Sequence, residues 1–332
     1  MSAPVKIAVA GLGRIGRIHL ENLVTKTPGA EVIAISDPFP ESHAFAQQLG
    51  VTQIEPSFEA LLVAQPDAVY VCTPTDTHAD YVIAAAKAGV HVFCEKPIDL
   101  SIERVCEVLT AVESAGVKLM VGFNRRFDPN FAKIQSMVTE GKVGTPHMIR
   151  ITSRDPGPPP IEYIKVSGGM FLDMSIHDFD IARFLAGSEV TEVYAKGSNL
   201  VDPAIGEADD IDTATMILTF ANGATAVIDN SRQAVYGYDQ RIEVFGSKGM
   251  VSAANETPDT HTYFNRDGVQ SSLPQHFFLE RYAEAYAIET KVFVDAIAAD
   301  TEPPVSGQDA LAATVIAHAA NRSKQDNCPI SL

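Results

Sequence analysis

The stretch "KIAVAGLGRIGRIHLENL" near the start constrains this chain more than any other. An apolar run over Lys6–Ala10 leads into Gly11, Gly13 and Gly16, and these open the helical pattern of Ile15–Val24. Glycines at that spacing, between a strand and a helix, do separate jobs. Gly11 permits the tight turn, Gly13 lets backbone approach a pyrophosphate, and Gly16 lets helix and strand pack closely. The helix start then offers free N–H groups and a positive dipole end to phosphates. Arg14 and Ile15 lie inside the same loop and belong to the same binding stretch. The plainer alternative is a tight strand–helix turn with no ligand.

The next hundred residues repeat that alternation. Further near-continuous apolar runs are Val32–Ser36, Ala68–Cys72, Val90–Cys94 and Lys118–Gly122, as suits strands covered on both faces. Helical patterns fall between them at Glu41–Leu49, Phe58–Val63, His78–Ala88 and Ile102–Ser114. Gly50 and Gly89 sit just past helix ends, and Ser57 just before a start. Alternation of this kind predicts a doubly wound parallel sheet, a Rossmann domain over residues 1–122. After Gly122 the pattern changes. Phe127–Val138, Asp173–Leu185, Phe278–Ala299 and Gln308–Ser323 read as helices. "DTATMILTFANGATAVIDNS" reads as a hairpin turning at Asn222-Gly223, and "QRIEVFGSKGMVSA" as a second turning at Gly246–Gly249. Residues 123–332 are therefore expected to form an α+β domain with a mostly antiparallel sheet and helices on one face. The fold class is α/β, an N-terminal Rossmann domain followed by this C-terminal α+β domain.

Composition narrows the function classes. The 332 residues carry a formal net charge of −17, which argues against nucleic acid or an anionic membrane as partner. No apolar run approaches the roughly 20 residues of a spanning helix. The start lacks a basic segment followed by an apolar one, so no secretory signal is expected. Cys72, Cys94, Cys106 and Cys328 form no C-x-x-C pair, and no Cys/His spacing suggests a metal. They read as small hydrophobes in a reducing cytoplasm.

The strand ends carry the chemistry. Asp37 closes the second strand 21 residues after Gly16, near where an acid takes hydrogen bonds from an adenosine ribose. A carboxylate there repels a 2′-phosphate, and no Arg follows closely, so NAD is favoured over NADP. By itself Asp37 reads equally well as a turn or capping acid. Ligands of such sheets sit beyond the carboxyl ends of the strands. Those ends are "CTPTDTH", "CEKP" and "GFNRRFD", which offer Thr73, Pro74, Thr75, His78, Glu95 and Lys96 toward the cofactor. Thr75 and His78 also suit simple capping. Lys96 follows a buried run directly, so it is either a solvated loop residue or one held for chemistry.

In "GGMFLDMSIHDFDIARFL", Asp173 and His177 stand at i and i+4, one turn apart on one face of the expected helix. A carboxylate that orients a histidine sets up a general base, and a locally bonded surface histidine gives the same pattern.

Taken in order, "GLGRIG", "CTPTDTH", "EKP" and "GGMFLDMSIHDFDIARFL" resemble the family of glucose–fructose oxidoreductase and inositol dehydrogenase. "GFNRRFDPNF", "SRDPGPPPIEYIKVSGGMF", "YGYDQRIEVFGSKGM" and "HFFLERYAEAY" are similar to its inositol 2-dehydrogenases in particular. The resemblance covers nearly the whole chain. It implies a homotetramer associating through the C-terminal sheets, and a cis peptide bond before Pro97. It implies catalytic Lys96, Asp173 and His177 acting on a polyol, with NAD as cofactor and no metal. Arg126, Asp155 and Tyr236 become candidates for the polyol pocket by motif match. Each has a plainer reading: a surface charge, a turn acid and a rim aromatic.

Overall fold

The computed structural model describes residues 3–332, so Met1 and Ser2 of the expected first domain lie outside the described residues. The chain divides into two compact units, one of residues 1–124 with 285–314 and one of residues 125–284 with 315–332.

In the first unit the elements run β1 (Val5–Ala10), α1 (Arg14–Thr25), β2 (Ala30–Ser36), α2 (Pro40–Gln48), α3 (Phe58–Val63), β3 (Ala68–Val71), α4 (Thr75–Lys87), β4 (His91–Cys94), α5 (Ile102–Ala115) and β5 (Leu119–Val121). The sheet order is β2-β1-β3-β4-β5, and every pairing is parallel. The chain order reverses between β1 and β3, which is where open α/β sheets bind ligands. Ile7, Val9, Val69, Val71, Val92 and Phe93 are fully buried, as continuous apolar strands in a covered sheet require. The expected punctuation is present. The Ser57 hydroxyl accepts the Ala60 N–H at 3.2 Å, and Gly50 and Gly89 take φ +86° and +74° past their helices. α4 begins three residues earlier than its apolar pattern suggests, because its first turn, Thr75–Thr77, is polar.

A short 3₁₀ turn, Asn124–Phe127, spans the boundary, and the second unit continues with α6 (Pro129–Thr139). Asp128 caps α6 through the N–H groups of Asn130 and Phe131, so the expected Phe127–Val138 helix starts at Pro129. There follow β6 (Pro146–Arg154), α7 (Ile161–Ile164), α8 (Gly169–Asp173), α9 (Ser175–Ala186), β7 (Val190–Ser198), α10 (Pro203–Glu207), β8 (Thr213–Phe220), β9 (Thr225–Ser231), β10 (Asp239–Gly246), β11 (Gly249–Ala253), β12 (Thr262–Asn265), β13 (Gly268–Ser271) and α11 (Phe278–Arg281). After α12 (Ala283–Ala298) and α13 (Gly307–Asp326) the chain ends in β14 (Ile330–Ser331). The large sheet runs β11-β10-β6-β9-β8-β7-β14, antiparallel except for β6 beside β9. Both expected hairpins form, β8–β9 and β10–β11. Ile149, Ile151, Met216, Leu218, Ile228 and Val244 point to the side covered by α6 and α9 and are buried. The opposite face stays open.

Two expected helices are each broken. Phe278–Ala299 divides at Tyr282, where φ is −112° and ψ 17°. Beyond the break, Tyr286, Thr290 and Phe293 share one face of α12 and pack with the first unit. Phe293 meets Tyr70 edge-on at 5.5 Å, and the Tyr70 hydroxyl donates to Thr290 O at 3.3 Å. Most of α12 therefore counts with the parallel sheet. Asp173–Leu185 divides at Met174, with consequences for the site below.

Candidate active site

In the first unit the glycine loop is built by exclusion. Gly11 has φ +83°, and a Cβ there would stand 2.7 Å from Cys72 O and Thr73 N. A Cβ on Gly16 would fall 1.9 Å from Gly11 O. Only glycine lets loop, α1 and the end of β3 come this close. Gly13 differs: a Cβ there would meet nothing within 4 Å, so its open side is available to a pyrophosphate. Gly13 is also the N-cap of α1, with no side-chain cap and no acid in the first turn, leaving the N–H groups there for an anion. The residues present fit a dinucleotide.

Asp37 follows β2 and is buried. Its Oδ2 accepts the Leu12 N–H at 2.6 Å and its Oδ1 the Phe39 N–H at 2.9 Å. The carboxylate thus ties the glycine loop to the end of β2. Arg14 and Ile15 begin α1 beside Gly13. Thr73 shares a hydrogen bond with Thr77 (Oγ1···Oγ1 2.6 Å), Pro74 caps α4 and Thr75 is its first residue.

His78 is 2% exposed, and its ring nitrogens lie 2.8 Å from Pro97 O and 2.8 Å from Thr73 O. Its ring braces the β3–α4 turn against the loop after β4. That loop carries half-buried Glu95 and Lys96, and the Lys96–Pro97 bond is cis as the family resemblance implies. Glu95 faces His19 Nε2 at 2.8 Å, and its other oxygen accepts the Lys96 N–H at 3.3 Å.

In the second unit the structure corrects one expectation. Asp173 and His177 do not lie on one continuous helix. Asp173 ends α8, Met174 takes φ −97° and ψ −57°, and His177 lies in the first turns of α9. The two segments answer to different partners. α9 is anchored to β9 through Ser175 and Asp178, both bonded to Asn230. Asp173 turns to the Tyr163 hydroxyl, which donates at 2.8 Å, and to the Arg232 guanidinium at 3.2 Å. Arg232 is 1% exposed and reaches Asp210 at 3.5 Å, while Asp210 also accepts the Met170 N–H at 2.9 Å. One arginine thus fixes the carboxylate of Asp173 and the entry to α8. Burial pushes the carboxyl of Asp155 up to about 6, while the Arg232 guanidinium pulls it back down.

Two pocket candidates each have a carboxylate partner. Arg126 donates to Asp180 through Nε at 2.8 Å and lies over the Phe184 ring at 5.0 Å. Tyr236 donates to Asp239 at 2.6 Å and accepts from Arg154 at 3.2 Å. The sequence reading overlooked Arg125 and Arg232. Arg125 is paired with buried Asp178 and donates to Ser153 at 3.2 Å. Their partners stand 53 and 59 residues away, beyond any local spacing.

Residues 5–123 match the model of an oxidoreductase family with an NAD-binding Rossmann fold, and residues 131–252 match a GFO/IDH/MocA C-terminal domain. The chain is 48% identical to the myo-inositol 2-dehydrogenase of Thermotoga maritima, over 99% of this chain and 98% of that protein. It is 48% identical to the inositol 2-dehydrogenase of Rhizobium meliloti, over 99% of both. The scyllo-inositol dehydrogenase of Lactobacillus casei, solved with bound NAD(H) and scyllo-inositol, is 32% identical, covers 99% of each chain and superimposes with a TM-score of 0.92. A glycine cradle on a parallel sheet, the mixed sheet of the second unit and full-length identity agree, and the chain belongs to the GFO/IDH/MocA family of NAD-binding oxidoreductases.

Proposed function

We propose that this chain is an inositol 2-dehydrogenase, oxidising a secondary alcohol of myo-inositol to 2-keto-myo-inositol (scyllo-inosose) with NAD⁺. What carries the reading is 48% identity along the whole chain to proteins named for that activity. Bound NAD⁺ supplies the hydride acceptor. Gly11, Gly13 and Gly16 shape the cradle for its pyrophosphate, and Asp37 disfavours a 2′-phosphate. His177 takes the hydroxyl proton as general base. Asp173, fixed by Tyr163 and Arg232, contributes a carboxylate that stabilises the resulting imidazolium. Lys96 donates to the reacting oxygen and stabilises developing alkoxide charge. Asp155 offers a carboxyl to the remaining hydroxyls.

The test is NADH formation with myo-inositol, scyllo-inositol and a set of aldoses, run with NAD and NADP side by side. Preference for scyllo-inositol or for an aldose moves the substrate within the family, and the Lactobacillus casei relative favours including the first. NAD binding without turnover of any polyol or sugar overturns the enzyme reading in favour of a regulator.

We also read the protein as a cytoplasmic homotetramer joined through its large sheets. No helix among the described residues is long and apolar enough to cross a membrane. The open sheet face exposes Met148, Ile217, Phe245 and Met250, which the strand register places on one side. Light scattering at a single mass of one chain would refute the assembly.

A further inference from the structure

A buried cluster behind the Lys96 loop has no part in the reading above. His19 on α1, Glu95 after β4 and Glu289 on α12 bring a ring nitrogen and two carboxylates within 4.8 Å of one another. His19 and Glu289 are 0% exposed. The His19 ring packs against Phe93 at 4.8 Å, Tyr70 at 5.4 Å and Tyr286 at 5.8 Å.

Hydrogen-bond direction settles one proton. The Thr290 hydroxyl donates to Tyr286 O at 2.8 Å, so it can only accept from His19 Nδ1 at 3.1 Å. Nδ1 therefore carries hydrogen. Nε2 faces Glu95 Oε1 at 2.8 Å, and one further proton lies between them. The pair is neutral as a whole whichever atom holds it. Glu95 passes this anchoring to the loop, because its Oε2 accepts the Lys96 N–H at 3.3 Å. It also packs where a Cβ on Gly122 would stand 2.9 Å away.

Neither oxygen of Glu289 has a hydrogen-bond partner among the described residues. The titratable groups around it are Glu95, His19, Tyr70 and Cys72, with Cys94 beside Glu95. None of these supplies a positive charge beyond the one His19 shares with Glu95. An ionised carboxylate so placed would be uncompensated, and buried groups in that position neutralise. Burial pushes the Glu289 carboxyl well above its ordinary range, and the Glu95 charge acts in the same direction.

We propose that Glu289 is a positioning residue held as a neutral carboxylic acid, and that its neutrality keeps the His19–Glu95 pair intact as the anchor of the Lys96 loop. Ionised, it would compete with Glu95 for His19 and loosen the carboxylate that holds the Lys96 N–H. The effect on turnover rests on the role proposed for Lys96; the protonation state of Glu289 does not.

Infrared difference spectroscopy on the full chain tests this. Wild type minus Glu289→Gln at neutral pH is expected to show a protonated-carboxyl C=O band that shifts in D₂O. Glu289 is the one glutamate among the buried charged residues described, so ¹³C-glutamate labelling separates the band from those of the buried aspartates, and its persistence in Glu95→Gln separates Glu289 from half-buried Glu95 even if Glu289→Gln folds poorly. The variant should keep kcat within about twofold at neutral pH and extend the alkaline limb of the pH–rate profile. Absence of the band overturns the proposal. So does an equimolar divalent metal that co-purifies with wild type and is lost from Glu289→Gln. A band with an unmoved alkaline limb overturns the positioning role. Failure of every polyol and sugar substrate would sink the enzyme reading instead, with the infrared result still standing.

Discussion

In the first unit the cofactor cradle is backbone, shaped by three glycines within six residues, whereas in the second unit the carboxylates are held by guanidinium groups distant in sequence. Asp173 depends on Arg232, Asp178 on Arg125, Asp180 on Arg126 and Asp128 on Arg281, across 53 to 153 residues. The two designs fail differently. A backbone cradle fails by collision, because a Cβ has nowhere to go. A charge clamp fails by subtraction, because removing one partner leaves the other buried and unpaired.

The largest expected effect falls on Lys96, which neither design explains. Lys96→Met should lower kcat by about 10²–10³-fold or more while NAD affinity stays near wild type. Steady-state kinetics and calorimetry check this, and unchanged turnover refutes the role given to Lys96. Arg232→Gln should come next. It strands Asp173 and Asp210 together and is expected to cost about 3–5 kcal/mol in urea unfolding, with a fall in kcat. A loss of activity at full stability would mean that the clamp is not a structural pair.

Two neighbouring glycines separate the modes of failure within the first unit. Gly16→Ala places its methyl group 1.9 Å from Gly11 O and is expected to cost about 1–3 kcal/mol, with lower Tm and weaker NAD binding together. Gly13→Ala meets nothing within 4 Å, so Tm should hold while NAD binding weakens by about tenfold, about 1.4 kcal/mol. If Gly13→Ala leaves NAD affinity at the wild-type value, the open side of Gly13 is not the side that receives phosphate.

The same contrast explains what was legible. Ser57, Gly50, Gly89 and the Asn222-Gly223 turn act on their own neighbours, and each stands where its local chemistry demands. The breaks at Met174 and Tyr282 were invisible because the apolar periodicity runs straight across both. What divides those helices is the pull of Arg232, Asn230, Tyr70 and Phe93, none of them close in sequence. Arg126 stood out from its motif, yet its guanidinium goes to Asp180, while its neighbour Arg125 reaches the buried Asp178. A motif names a pair of adjacent arginines and cannot say which turns which way.

Asp155 gives the smallest effect and the finest measure of how far the second unit depends on its arginines. Its carboxyl is raised from 3.8 to about 6, chiefly by burial, with Arg232 and Arg125 opposing and the Asp173 charge adding. A raised carboxyl contributes stability that is full below pH 3.8 and is lost as pH rises through about 6. Asp155→Asn should therefore raise Tm relative to wild type above pH 6 and lose that advantage below pH 4. In turnover, the variant should flatten the pH dependence of KM for the polyol near pH 6, where wild type exchanges a carboxylate acceptor for an acid. Combining it with Arg232→Gln sharpens the comparison. With the guanidinium gone, a remaining Asp155 titrates higher still, so the Asn substitution should gain more stability in that background than in wild type. Equal gains in both backgrounds would show that Arg232 does not reach Asp155, and that burial alone sets its charge.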